Sequence, residues 1–201
     1  MVHVQALRAG WARLQSLRAA LQALTAAGKV TLAYLEQAGN KEYFLATACS
    51  AIVLAPSATL NLLGLRAEVL FFKGALARLG VQAELEAVGE YKTAAEPFTR
   101  DGMSPAHREA LEALLDDLYA QFLDALATGR RLSLAQMRER CDQGPYTAVQ
   151  ALAAGLVDHL AYPDDVEALL AAQAGRPLRP LPALAALRPT PAAPFWGGGA
   201  R

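Results

Sequence analysis

Two hydrophobic rhythms alternate along the chain. From Trp11 the apolar positions Leu14, Leu17, Leu21 and Leu24 recur every three or four residues, with Arg13, Gln15, Arg18 and Gln22 on the other faces. That period predicts an amphipathic helix, ended by Gly28-Lys29. Val30–Leu35 and Ala51–Ala55 are short apolar runs, the second stopped by Pro56, and they predict buried strands. Between them Lys41–Ala48 predicts a short helix with Tyr43 and Phe44 turned inward, and Gln37–Asn40 predicts a loop. Asn61–Gly64 reads as a turn or edge segment. Glu68–Leu79 has a helical period up to Gly80, and Val81–Val88 alternates apolar with polar, which predicts one more strand.

From Ser104 the pattern is helical. Ser104 as N-cap with Pro105 at the first helical position is a start signal. Leu111, Leu114, Leu115, Leu118, Phe122 and Leu126 then form one stripe, predicting a helix from Pro105 to about Thr128 with Gly129 as its stop. Ser133–Gln136 is a capping-box start for the next helix. Thr147–Ala154 and Pro163–Ala172 predict two more, with Gly155 between them. Beyond Gly175 the prolines 177, 180, 182, 189, 191 and 194 and the run Gly197–Gly199 have linker composition. The expected organisation is one α/β domain over residues 1–172 and a Pro/Gly-rich tail over 173–201.

Composition narrows the classes. The chain has 201 residues, 54% hydrophobic and 19% charged, which suits a globular domain with a sizeable core. A net charge of zero argues against a nucleic-acid partner. Cys49 and Cys141 make no disulfide framework and read as buried small hydrophobes. His3, His107 and His159 are far apart without ligand spacing, so no metal site and no cofactor is expected. No secretory leader pattern and no apolar run long enough to span a membrane is present, so any membrane contact is expected through a segment outside these residues.

The chemistry concentrates at Gly89-Glu90-Tyr91-Lys92-Thr93-Ala94-Ala95-Glu96-Pro97-Phe98. A serine hydroxyl is a poor nucleophile until a base takes its proton. A lysine can be that base only as the neutral amine, a form that burial among apolar and small groups favours. Thr93, Ala94 and Ala95 are small enough for another element to pack over such an amine. An ordinary lysine is a solvated surface charge, and the segment's pattern is what sets Lys92 apart. Gly-x-Tyr-Lys-[Ser/Thr]-Ala-x-Glu-Pro-Phe followed by Met103-Ser104-Pro105 resembles the lysine segment of the signal peptide peptidase A family, membrane-associated bacterial serine proteases with a Ser/Lys dyad. Weaker matches extend the resemblance over about residues 11–172: Gly28-Lys29-Val30, Tyr43–Ala48 and Gly155-Leu156-Val157-Asp158.

The resemblance implies the fold shared by the Clp protease subunit and crotonase, a spiral of ββα units, here trimmed at both ends. It implies Lys92 as general base, with Tyr91 and Thr93 in support. It also implies a gap. Where the family carries Ser-Gly-Gly before its aromatic pair, this chain reads Asn40-Lys41-Glu42. Long members carry the lysine in a first half and the serine in a second. The expectation is therefore the lysine-bearing half of an endopeptidase that degrades cleaved signal peptides at the periplasmic face of the inner membrane. Alone it would be inactive, needing a serine-bearing half from the same gene or a neighbouring subunit. The family is expected to bring strands before the first helix, which this chain reaches almost at once. An open sheet edge and the leucine-rich helices then predict a homo-oligomer. The competing reading is a non-catalytic oligomerisation or interaction domain of the same fold. A crotonase-like acyl-CoA enzyme is disfavoured, because its oxyanion loop is usually glycine-rich and Gln37–Lys41 has one glycine.

Overall fold

Four short parallel strands lie at the centre of the computed structural model, which describes residues 1–175 and 177. The first part of the chain runs β1 (Val2–Val4), α1 (Trp11–Ala26), β2 (Leu32–Leu35), β3 (Ala38–Gly39), α2 (Asn40–Ala46), β4 (Ala51–Leu54) and β5 (Thr59–Asn61). A long excursion follows, carrying α3 (Lys73–Arg78), a 3-10 turn at Thr93–Ala95 and α4 (Glu96–Thr99). The chain then returns through α5 (Pro105–Arg130), α6 (Leu134–Asp142), β6 (Tyr146–Thr147), α7 (Ala148–Ala153), β7 (His159–Leu160) and α8 (Pro163–Ala174). The larger sheet has the order β1-β2-β4-β7; the smaller has β3-β5-β6, with β6 antiparallel. Two successive units each place one strand in the large sheet, the next in the small sheet, and then a helix: β2-β3-α2 and β4-β5-α5. The protein is thus an α/β domain built of ββα units.

Strands β2 and β4 are buried at every position, as their unbroken apolar runs require. Registers Leu32↔Ala51 to Leu35↔Leu54 align them. Trp11, Phe44 and Phe122 join α1, α2 and α5 through edge-to-face and stacked ring contacts at 5.6–6.2 Å. Beside them Arg18 is buried. Its guanidinium donates to the Phe44 carbonyl, to Thr47 Oγ1 at 2.6 Å and to the Ala125 carbonyl at 2.6 Å, and lies over the Phe44 ring. Desolvation lowers its pKa from the usual arginine value. Asp158 closes the other side: it accepts from the Ile52 amide of β4 at 2.7 Å and forms a double ion pair with Arg130.

Several expectations are corrected. A strand does precede the first helix: β1 pairs with β2 and covers the edge that was expected to be open. Its three residues are too few to show a period. The expected loop Gln37–Asn40 holds β3, a two-residue bridge to β5. Glu68–Leu79 is helical only over Lys73–Arg78, because Leu70 and Phe72 are exposed and have no core to bury against. Val81–Val88 is not a strand. Its alternation is real, but the segment lies on the excursion between Gly64 and Ser104, where no strand of either sheet pairs with it. Gly129 does not stop α5, which runs one residue further. A Cβ at Gly129 would stand 2.2 Å from the Thr47 carbonyl oxygen, so the glycine permits close approach of α5 to the end of α2. The last helix reaches Ala174, two residues past the expected boundary at 172. All but the first residues of the expected tail lie outside the described residues.

The excursion is clamped at both ends. At its entry Asn40 Oδ1 accepts from the Leu63 amide at 3.1 Å, and Asn40 Nδ2 donates to the Gly64 carbonyl. Gly64 sits at φ +75°, a conformation that suits glycine. At its exit the buried Glu96 accepts from the Ser104 amide at 3.1 Å and bonds His107 Nδ1 at 2.8 Å, while Ser104 caps α5 by accepting from the His107 amide. These bonds from Ser104, with the His107 contact, hold the Glu96 carboxyl down at about 2.

Gly129→Ala should destabilise the fold by roughly 1–3 kcal/mol in urea unfolding, because the new methyl meets backbone that cannot move aside. A gain of about 1 kcal/mol, the ordinary helix-interior effect, would show that the Thr47 contact is not tight. Glu96 has a folded pKa below its unfolded value of 4.5, so its stabilisation is complete above 4.5 and is lost as pH falls toward 2. Hydrogen-exchange protection of the Ser104 amide should fall across that window in the wild type, and Glu96→Gln should remove the pH dependence.

Candidate active site

The lysine segment lies on the excursion, between the irregular stretch 81–88 and α4. Gly89 at φ +100° turns the chain, and the Lys92 amide donates back to the Gly89 carbonyl at 3.1 Å. Lys92 is exposed and has no strand before it. It lies on the wall of a cavity of 460 Å³ with Leu85, Glu86, Ala87, Ala94 and Ala95. Of the small residues that follow it, Ala94 and Ala95 share this wall. Thr93 follows directly and opens the 3-10 turn. Tyr91 is exposed and donates its hydroxyl to Glu109 Oε2 of α5 at 3.1 Å, a bond that raises the phenol pKa. Tyr91 therefore fastens the segment to α5.

Asn40 stands elsewhere in the design. It opens α2, beyond the carboxyl end of β2, at the pole of a parallel sheet where α/β proteins place their sites. Both polar atoms of its side chain are committed to Leu63 and Gly64. Its neighbours are committed too: Glu42 accepts from the amides of Leu7 and Gly39 at 2.7 and 3.1 Å, and Lys41 donates to the Ala9 carbonyl at 2.9 Å. The triplet Asn40-Lys41-Glu42 thus acts as a tie for the N-terminal segment and for the root of the excursion. No hydrogen bond joins Asn40 to Lys92 among the described residues. An amide already holding two backbone groups has no nucleophilic role.

The other candidates are structural. His107 bonds Glu96 at the start of α5. Burial raises both thiols, Cys141 to about 11, which suits inert packing groups. Tyr43 donates to the Leu156 carbonyl at 2.7 Å, so the aromatic helix and the Gly155–Asp158 stretch lock onto each other. Sequence reasoning missed the Glu96 and Asn40 clamps. Glu96 had a signal, a carboxylate eight residues before the N-cap Ser104; Asn40 had none beyond its place before the aromatic pair.

Comparisons with known proteins agree with the resemblance. The chain is 28% identical over 174 residues to the chloroplastic serine protease SPPA of Arabidopsis thaliana, covering 87% of this chain and 26% of that protein. It is 35% identical over 164 residues to Protease 4 of Salmonella typhi, covering 78% of this chain and 26% of that protein. It therefore spans about a quarter of the length of these curated relatives. A solved peptidase from Plasmodium falciparum superposes with a TM-score of 0.43 at 8% identity, over 74% of this chain and 67% of that one. Residues 23–176 match the model of peptidase family S49, and the chain belongs to that family.

Proposed function

We propose that this chain is the lysine-bearing part of a Ser/Lys-dyad endopeptidase that degrades cleaved signal peptides, with Lys92 as general base. The observation that carries the reading is Lys92 itself, on the wall of a 460 Å³ cavity beside Ala87, Ala94 and Ala95, within the region that matches a peptidase family. Tyr91 fastens the segment to α5 through Glu109 on one side, and Thr93 opens the 3-10 turn on the other. The nucleophile comes from residues other than this chain's own Asn40, in a serine-bearing half of a longer polypeptide or in a neighbouring subunit. Packing of that half over the exposed amine would remove it from water, the condition a lysine base needs. Substrate reaches the dyad as an extended peptide, in the membrane-facing compartment where signal peptides are released. Among the described residues no helix is long and apolar enough to cross a membrane, so attachment is assigned to other segments.

The exposure of Lys92 is also what a non-catalytic interaction domain would show, and one experiment separates the two. A serine-bearing half is joined to residues 1–201, as a fusion or as a second chain, and cleavage of an apolar fluorogenic peptide is followed. Lys92→Ala should lower kcat by roughly 10²–10⁴-fold, with urea stability unchanged. Full activity in that variant would favour the interaction-domain reading. Residues 1–201 alone should give no turnover and no adduct with a serine-directed probe. A Lys92-dependent adduct on a hydroxyl of this chain would overturn the division into two parts.

A further inference from the structure

The alternation at Val81–Val88, which no strand of this chain uses, is the strongest unexplained feature of the molecule. The Val81 amide donates to Leu76 and the Lys92 amide to Gly89, but no hydrogen bond to residues 82–88 occurs among the described residues. Seven consecutive residues just before Lys92 thus offer unpaired backbone donors and acceptors, which in extended form could pair with another strand. The side chains are equally unpartnered: Val81, Leu85 and Val88 are 50%, 54% and 91% exposed. Two cavities border the same backbone. One, of 410 Å³, lies against Val81–Ala83, Phe98 and α3; the other is the 460 Å³ cavity of Lys92.

The residue order says what would fit. In extended form Val81, Ala83, Leu85 and Ala87 share one face, and Gln82, Glu84, Glu86 and Val88 share the other. Neither Glu84 nor Glu86 forms an ion pair among the described residues. Cross-strand neighbours stand on the same face, so a pairing strand meets apolar with apolar and presents its other face to two carboxylates. A second copy of the same segment would set glutamates against glutamates, which is unfavourable. We propose that Gln82–Val88 is a docking strand for an extended peptide in which apolar residues alternate with basic ones. Pairing runs the peptide along both cavities and delivers it to Lys92. This is a statement of binding, separate from the apolar substrate of the cleavage reaction, and it is tested without the role proposed for Lys92.

The test uses residues 1–201 and three blocked eight-residue peptides: alternating Val-Lys, alternating Val-Glu, and alternating Pro-Lys. The proline peptide keeps the charge but lacks half of the ladder donors. Binding is followed by calorimetry and by hydrogen exchange at residues 82–88. Val-Lys should bind about tenfold more tightly than Val-Glu at low ionic strength, from two exposed charge pairs gained against two repelled, and should slow exchange at 82–88. Pro-Lys should do neither. The double variant Glu84→Lys, Glu86→Lys changes only exposed side chains and should reverse the preference. Equal binding of Val-Lys and Pro-Lys, protection outside 82–88, or an unreversed preference would overturn the proposal. Protection of 82–88 that rises with protein concentration without peptide would assign the strand to a second copy and overturn it too. Val-Lys binding that survives Lys92→Ala keeps the docking strand even where the cleavage experiment removes the Ser/Lys reading.

Discussion

Thr47 is the point on which the fold closes. Helix α5 passes so near it that only a glycine, Gly129, fits between them, and the Arg18 guanidinium of α1 reaches the same threonine from the other side. Three helices therefore meet at the end of a seven-residue helix too short to be stable by itself. Arg18 is buried there because it finds carbonyls on two different helices, Phe44 and Ala125, together with the Thr47 hydroxyl. Removing any one partner leaves a buried polar group unsatisfied, at a cost of about 1–3 kcal/mol. The aromatic ring contacts of Trp11, Phe44 and Phe122 fill the space alongside.

That junction fixes α5, and α5 fixes the lysine segment. The excursion from Gly64 to Ser104 adds little to the core: of the residues between them only Glu96 is buried, and that by polar partners. Its position is set by polar clamps, Asn40 at the entry, Glu96 with Ser104 and His107 at the exit, and Tyr91 to Glu109 between them. An apolar chain held this way keeps its hydrophobic side chains in water. Phe72 and Phe98 stack on each other at 6.0 Å, and both remain exposed by more than two fifths. Such surface is costly in isolation and profitable against a partner, and it is concentrated on this side of the molecule.

What was legible in the sequence follows burial. Leu32–Leu35, Ala51–Leu54 and the helix from Pro105 were readable because their apolar period answers to a core that is present in the chain. The caps Ser104, Ser133 and Thr147 were readable because capping is local. The excursion was misread for the opposite reason. Val81–Val88 and Glu68–Phe72 carry periods whose complementary surface is not among the elements that surround them. Gly129 was misread as a stop because a glycine that admits a neighbouring backbone looks, in sequence, like one that ends a helix. The family was legible through the Tyr91–Phe98 pattern, because such a local pattern does not depend on the core.

The same logic separates the segments that resemble the peptidase family into two kinds. Tyr43–Ala48 and Gly155–Asp158 are joined to each other by Tyr43 and Leu156, and to β4 by Asp158 and Ile52. They hold the ββα units together. The lysine segment does no such work: its removal would break the Tyr91–Glu109 and Glu96–Ser104 bonds and leave the sheets intact. The ten-residue pattern is held on a clamped arm outside the core, beside a cavity. The residue at position 40 points the same way. Through Leu63 and Gly64 it ties down the root of the arm, so the placement of the lysine segment begins at α2.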